Sequence, residues 1–543
     1  MKTLIKNAGK LLIATMATAV LMGGAGCKKN IFDKKDLNAA DSTIWNTTTA
    51  ANTYVNAIYD LAMPQWPTSG SLYNTSDEQA GANALILYGT MTGLNNDITY
   101  VFSKNGEATD IYWPIYHCNV ALQNITSGLM PAADKKTLKG QVYFLRAFMY
   151  FTMVKLYGGM PLILHPQNPQ TENVQTPRSK TSVCIKQIEA DLDSAAAMLP
   201  ATWNLSTDGG RITRAAAMAF KGKVALYWAS PQFNPDNITA RWDSAYVYNK
   251  AAYNQAVTDG YALYPNFKGL WTDESTSNHE RMIWRTYDKL TKGNTVEQGT
   301  RPYSESSNNG GSYQPTWNLV KAFPAANGLP CYLSDGATVN TASGYDPELF
   351  WKNRDPRFYA TIAYNGAIWG LSGKPTRREW TYTGVLEDAS KQSATGFYCR
   401  KLSDSTLIPA NVPYVSGSSG GSGMDWVEFR FAELLLNYAE CSAHSTLGSL
   451  DECKSLIIKL RTRAGIAQGA YNYGLSVVNT VKDMDTFLLT EREVEFAMEG
   501  KRADDLRRTR QFDKLNNTFR QAFRTDLKSP YVAGSTTPAG KIN

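Results

Sequence analysis

Residues 138–161 read LKGQVYFLRAFMYFTMVKLYGGMP. Leu138, Val142, Leu145, Met149, Met153 and Leu156 recur at three- and four-residue steps, which predicts a helix with one buried face. Gly158-Gly159 and then Pro161 end it, because glycine accepts left-handed backbone geometry and proline cannot continue a helix. The same periodicity recurs over 182–198, 214–229, 243–258, 428–444, 450–463 and 484–498. Residues 445–449 form a short glycine-containing link, so 428–444 and 450–463 read as a helical hairpin.

Stacked hairpins of this kind resemble diverged tetratricopeptide units, without the strict self-similarity at about 34 residues of an undiverged array. Between them lie stretches rich in Gly, Ser, Asn, Pro and aromatics, chiefly 63–109, 291–349, 364–424 and 518–543. These read as loops with a few short strands, and long irregular segments inside a folded body usually exist to bind something. The expected fold is mainly α, a helical-hairpin scaffold carrying an irregular ligand-binding region. The body runs as a single domain from 42 to 543, with loop insertions at 63–109, 291–349 and 364–424.

At the N-terminus, Lys2, Lys6 and Lys10 precede the apolar run Leu11 to Met22 and then Gly23-Gly24-Ala25-Gly26-Cys27. A basic start, an apolar segment and small residues make an export leader. A cysteine directly after Gly24-Ala25-Gly26 points to cleavage before Cys27 and lipid on its sulfur, giving a leader at 1–26 and a lipidated tether at 27–41. Gly24 stands where a lipobox usually carries Leu; ordinary cleavage would leave Cys27 a free thiol. The apolar run is shorter than the roughly 20 residues needed to span a bilayer.

Composition supports an ordered body: 43% of residues are hydrophobic and 11% aromatic, including 30 Tyr and 13 Trp. The formal charge of +7 includes the three leader lysines, and the remainder is too small and scattered to indicate nucleic acid. Six cysteines besides Cys27 are widely spaced and match no zinc-ligand pattern. Cys441 and Cys453 could meet across the hairpin, or all six could be buried free thiols. With only four His, imidazole metal sites and catalytic triads have little material.

One charged run stands out: Glu491-Arg492-Glu493-Val494-Glu495-Phe496, then Glu499-Gly500-Lys501-Arg502 and Asp505-Leu506-Arg507-Arg508. With it go Arg430-Phe431-Ala432-Glu433, Asn437-Tyr438-Ala439-Glu440, Leu460-Arg461-Thr462-Arg463-Ala464-Gly465-Ile466 and Phe144-Leu145-Arg146-Ala147. Tyr157 to Leu162, Arg211-Ile212-Thr213, Thr395-Gly396-Phe397-Tyr398 before Arg400-Lys401, and Trp113 to Ile125 complete the set. Together these segments resemble the SusD/RagB family, surface lipoproteins of Bacteroidetes that partner TonB-dependent transporters. The resemblance implies a SusD-like α-α superhelix, a cell-surface location at the outer membrane, and a SusC-like TonB-dependent transporter capped by the lipoprotein. Ligand residues vary within the family, so the resemblance assigns none.

Glu491, Glu495 and Glu499 fall at steps of four and line one side of a helix. Paired carboxylates can hydrolyse glycosides, but the interleaved arginines offer forked donors that match carboxylates, which favours a structural tie and a protein that is no enzyme. Glycan binding asks instead for flat aromatic faces beside amides and carboxylates. Trp66, Tyr73, Asp77, Glu78, Tyr88, Asn95, Asn96 and Asp97 fit in one loop. Tyr303, Asn308, Asn309, Tyr313 and Trp317 fit in a second, and Trp369, Trp380 and Tyr382 form a third group. The first two groups are the favoured ligand contacts. Asp77, Glu78 and Asp97 could instead hold calcium, although their spacing follows no known calcium loop. No other metal or cofactor is expected. The expected function is capture of an oligo- or polysaccharide, with peptide binding by the same kind of receptor, or a secreted glycoside hydrolase, as alternatives.

Overall fold

The computed structural model describes residues 42–66, 76–79, 111–275, 277–307, 310–385, 388, 391–413, 420–515 and 520–527. The leader, the tether and Cys27 lie outside these residues.

The frame is mostly helical. Its helices are α1 (Thr48–Ala62), α2 (Tyr112–Ser127), α3 (Ala132–Tyr157), α4 (Thr181–Met198), α5 (Arg214–Ala229), α6 (Thr239–Thr258), α7 (Phe431–His444), α8 (Leu450–Ala464), α9 (Val481–Glu495) and α10 (Arg502–Arg508). Each end has a local cause. Thr47, Thr213 and Ser449 cap α1, α5 and α8 by accepting from backbone N–H groups of the first turn, and Thr480 and Asp483 form a reciprocal capping box on α9. α3 ends at Gly158 with φ +73°. The next residue has to be glycine for a different reason: a Cβ on Gly159 would sit 1.9 Å from the Ser179 carbonyl oxygen.

The helices pack in a running series: α1 and α2 on α3, α3 on α4, α4 on α5, α5 on α6, α6 on α7, and α7 on both α8 and α9. Thus α6 meets α7 although residues 259–430 intervene. The shared core holds Leu138, Val142, Leu145, Met149 and Met153 of α3, as the periodicity requires. Arg146 is buried in the same helix, where its fork takes Asp191 of α4 at 2.8 Å through two bonds and its third nitrogen takes Asn119 of α2 at 2.8 Å. That satisfied guanidinium explains a charge in the middle of an apolar face.

Two short antiparallel strand pairs interrupt the helical plan. β1 (Arg281–Arg285) pairs with β4 (Trp426–Arg430), and β2 (Ile362–Tyr364) with β3 (Phe397–Cys399). Residues 428–430, expected to open a helix, are therefore strand, and α7 starts at Phe431; α9 stops at Glu495, and Met498 has φ +61°. All six described cysteines, Cys441 and Cys453 included, are buried free thiols. No helix among the described residues is long and apolar enough to cross a membrane.

Candidate functional site

The irregular stretches come together over a second apolar cluster, which contains Trp66, Trp271, Trp284, Phe323, Phe358, Phe397 and Trp426. Residues 76–79 lie against 312–316: Gln79 bridges to Pro315, Thr316 N–H donates to the Glu78 carbonyl at 3.0 Å, and Gln79 Nε2 donates to the Ser312 carbonyl at 3.2 Å. Cys399 N–H donates to the Tyr313 carbonyl at 3.0 Å, which ties in the third stretch. The C-terminal segment closes the layer, with Trp317 N–H on the Gln521 carbonyl at 2.8 Å and Phe523 N–H on the Thr395 carbonyl at 2.8 Å. A Cβ on Gly396 (φ +81°) would lie 2.1 Å from the Phe523 carbonyl oxygen, so glycine at that position lets the C-terminal segment pack close. The part played by 520–527 was missed in sequence, because nothing local in those residues names Thr395 and Trp317 as neighbours.

The predicted sugar contacts fall into three fates. Trp66 and Tyr313 are core side chains, 7% and 5% exposed: Trp66 meets Trp426 edge-on at 4.7 Å, and Tyr313 packs over Gly299. Neither turns a free ring face to solvent here, which corrects the expectation that they serve as platforms. Trp317 is half-buried among Phe350, Phe397 and Phe523, and Tyr303 is half-buried. Tyr73, Tyr88, Asn95, Asn96, Asp97, Asn308 and Asn309 lie outside the described residues. In the third group Trp369 and Tyr382 are buried and Trp380 is half-buried.

Asp77 and Glu78 each have partners within the protein. Asp77 forks onto Arg502 at 3.1 and 3.3 Å. Glu78 accepts from Met498 N–H at 3.1 Å and from Ser76 Oγ at 3.3 Å. Among the described residues, no three His, Cys, Asp or Glu side chains are grouped to hold a metal. Burial pushes the Glu78 carboxyl up to about 8, against the pull of the Met498 amide and Arg502. The nearby Glu493 carboxyl is likewise pushed up by burial, against Arg502. A carboxyl raised in the fold binds a proton that the unfolded chain has released, so stability drops as pH rises from about 4.5 through about 8. Glu78→Gln, which keeps the acceptor for Met498, is therefore expected to raise stability at about pH 8 by about 1 kcal/mol or more and to have little effect near pH 5. Urea midpoints at the two pH values check this; an equal effect at both would remove the titration from the explanation.

Glu491 and Glu495 of α9, and Glu499 in the turn just past its end rather than on the same helix as expected, are bound up in ion pairs deep in the protein. Arg357 reaches Glu491 at 2.8 Å and Glu495 at 2.9 Å, Arg461 reaches Glu491 at 2.7 Å, and Arg430 reaches Glu495 at 2.6 Å and Glu499 at 2.8 Å. Arg463 also pairs with Glu495, and Lys401 with Glu499 at 2.5 Å. Every one of these carboxylates is buried. The structural tie is as expected, but the partners come from outside the motif; the motif's own Arg492, Arg502 and Arg508 turn to Asp505, Asp77 and Glu440. Carboxylates buried and paired in this way act as structural ties.

A series of packed helices, an irregular layer stapled onto it through strands and loop bridges, and a buried arginine–glutamate lattice at the joint define a helical-frame protein with a loop-built face. The model described as the SusD family matches residues 270–534, and the model described as "Starch-binding associating with outer membrane" matches residues 32–226. The chain is 22% identical over 519 residues to SusD-like protein P38 of Formosa agariphila, covering 89% of this chain and 88% of that one. Among solved structures it is similar to a SusD-like protein from Bacteroides fragilis (25% identity, TM-score 0.69, 87% of this chain and 88% of that one). A SusD-like carbohydrate binding protein from the same species is similar at 22% identity, TM-score 0.69, with 87% and 88% covered. The chain belongs to the SusD/RagB family.

Proposed function

We propose that the protein is a non-catalytic, cell-surface lipoprotein, held in the outer membrane through Cys27, that captures glycan and delivers it to a SusC-like TonB-dependent transporter. The observation that carries this reading is likeness along most of the chain to SusD-like proteins, one of them described as carbohydrate binding. The loop-built layer supports it: residues 76–79, 312–316 and 399 come together there, and Tyr303 and Trp317 are half-buried rather than core. Ligand contact is assigned to Tyr303 and Trp317, with Tyr73, Tyr88, Asn96 and Asn309 as further proposed contacts, while Trp66, Tyr313 and Asp77 have structural roles. The burial of the α9 carboxylates supports the absence of catalysis.

Affinity electrophoresis of the purified protein through gels holding different polysaccharides, followed by calorimetry with oligosaccharides, tests the reading. At least one glycan should retard the protein, Tyr303→Ala should weaken binding by about tenfold without a change in melting, and no reducing ends should appear. Retention by peptides and by no glycan would transfer the receptor to the peptide reading, and release of sugar would revive the hydrolase.

A further inference from the structure

We propose that a cleft between α1, the 207–211 turn and β1 is a subsite for an acidic sugar unit, a pyranose bearing a carboxylate or a sulfate; this rests on the glycan reading and adds a ligand class to it. The cleft has a volume of about 250 Å³, below the roughly 300–1,000 Å³ of sites for drug-sized ligands, so it admits one ring and not a chain. It also lies at the root of the loop layer: α1 ends just before the stretch that starts at 63, and Lys292 opens the stretch that starts at 291.

Its lining includes the half-buried Tyr59 beside a donor-rich polar surface, while Trp284, 7% exposed, belongs to the apolar cluster behind it. Arg285 is 8% exposed; its terminal nitrogens donate to the Asp60 carboxylate and to the Met63 carbonyl at 3.0 Å, while its buried Nε has no partner. Lys292 meets Asp60 at 3.2 Å with a side chain that is 54% exposed, leaving ammonium protons for an occupant. Arg211 lies on the turn, held by Asp208 at 2.7 Å and Gln141 at 2.9 Å. Three cations face two lining carboxylates, Asp60 and Asp208. That surplus of positive charge and of donors favours an occupant that brings an anionic oxygen group. A half-buried tyrosine beside such donors fits a sugar ring better than a bare anion, because the sugar's C–H face needs an apolar surface.

Calorimetry of the purified protein at low ionic strength with glucuronate, glucose 6-sulfate, glucose and acetate tests this. One acidic sugar should bind at least about tenfold tighter than both glucose and acetate, and which one it is separates carboxylate from sulfate. Lys292→Ala should cost about tenfold, and Asn56→Trp, at an exposed position on the rim, should abolish binding with melting unchanged; Thr207→Trp fills the opposite rim if the first variant does not fold. Glucose or acetate binding as tightly as the acidic sugars, no binding at millimolar ligand, or variants that leave affinity unchanged would overturn the subsite. If glycan retention in gels persists while no acidic sugar titrates, only the subsite falls. If no glycan is retained at all, the receptor reading falls independently.

Discussion

Arg430→Met is expected to destabilise the protein by about 3–5 kcal/mol, the typical cost of leaving a buried ion pair without one partner. The guanidinium is 1% exposed and every arm is used: Nε and Nη2 fork onto Glu499 at 2.9 and 2.8 Å, Nη1 reaches Glu280 at 2.7 Å and Glu495 at 2.6 Å, and Nη2 also reaches the Glu495 carbonyl at 2.8 Å. β4 delivers it and α9 receives it, so its loss strips charge compensation from the joint between helical frame and irregular layer. Arg430→Lys should rescue little, because one ammonium cannot reproduce a planar fork. Pairing Arg430→Met with Glu499→Leu should recover part of the loss, since it removes a stranded carboxylate. Lys401, the other partner of Glu499, can then shed its proton, because burial already holds its ammonium below the usual lysine range against the pull of Glu499. Urea unfolding followed by tryptophan fluorescence reads all three variants. A single-variant loss below about 1 kcal/mol would show that the lattice contributes no more than a surface pair.

Acid should be the second large effect. Burial alone would raise the Glu495 carboxyl, but Arg463, Arg430 and Arg357 outweigh it and hold the group far below the usual range. By the same contest Lys223 and Lys501 bring Glu433 down to about 2, and Lys155 and Arg507 bring Asp504 down to about 2. A depressed carboxyl lends stability that is complete above its unfolded value and vanishes as pH falls through its folded value. As pH falls from neutrality the raised Glu78 carboxyl adds stability down to about pH 4.5, and below that the depressed carboxyls take over and stability should fall steeply towards pH 2. The fall should be insensitive to added salt, because pairs out of solvent are weakly screened. Urea midpoints measured in steps from pH 7 to pH 2.5 check it, and a flat profile between pH 5 and pH 3 would contradict the charge assignments.

What was legible in sequence was what local periodicity encodes. α3, α5 and the α7–α8 hairpin follow from apolar spacing, from Gly158 and Gly465 at their ends, and from caps such as Ser449. Residues 428–430 misled because Trp426-Val427-Glu428-Phe429-Arg430-Phe431 reads equally well as strand or helix, and the choice is made by Arg281–Arg285, distant in the chain. Non-local pairing also defeated the site. Aromatic content marks candidate stretches, yet whether a ring is platform or filler depends on neighbours such as Trp426 and Phe523 that no short window contains. The α9 glutamates were legible as ties, but their partners at 357, 430, 461 and 463 were not, since four-residue spacing shows which side chains share a face and not what faces them.

The pairing of Arg281 with Arg430 sets the chain's point of departure from the frame next to its point of return. Everything between, from 286 to 425, is an excursion whose two ends are already held together, and lengthening such an excursion is cheap: each doubling costs only about 0.6 kcal/mol in closure entropy. Loops in this interval can lengthen at little cost while the helices beneath keep their seating, provided Arg357 and Lys401 still reach Glu491, Glu495 and Glu499.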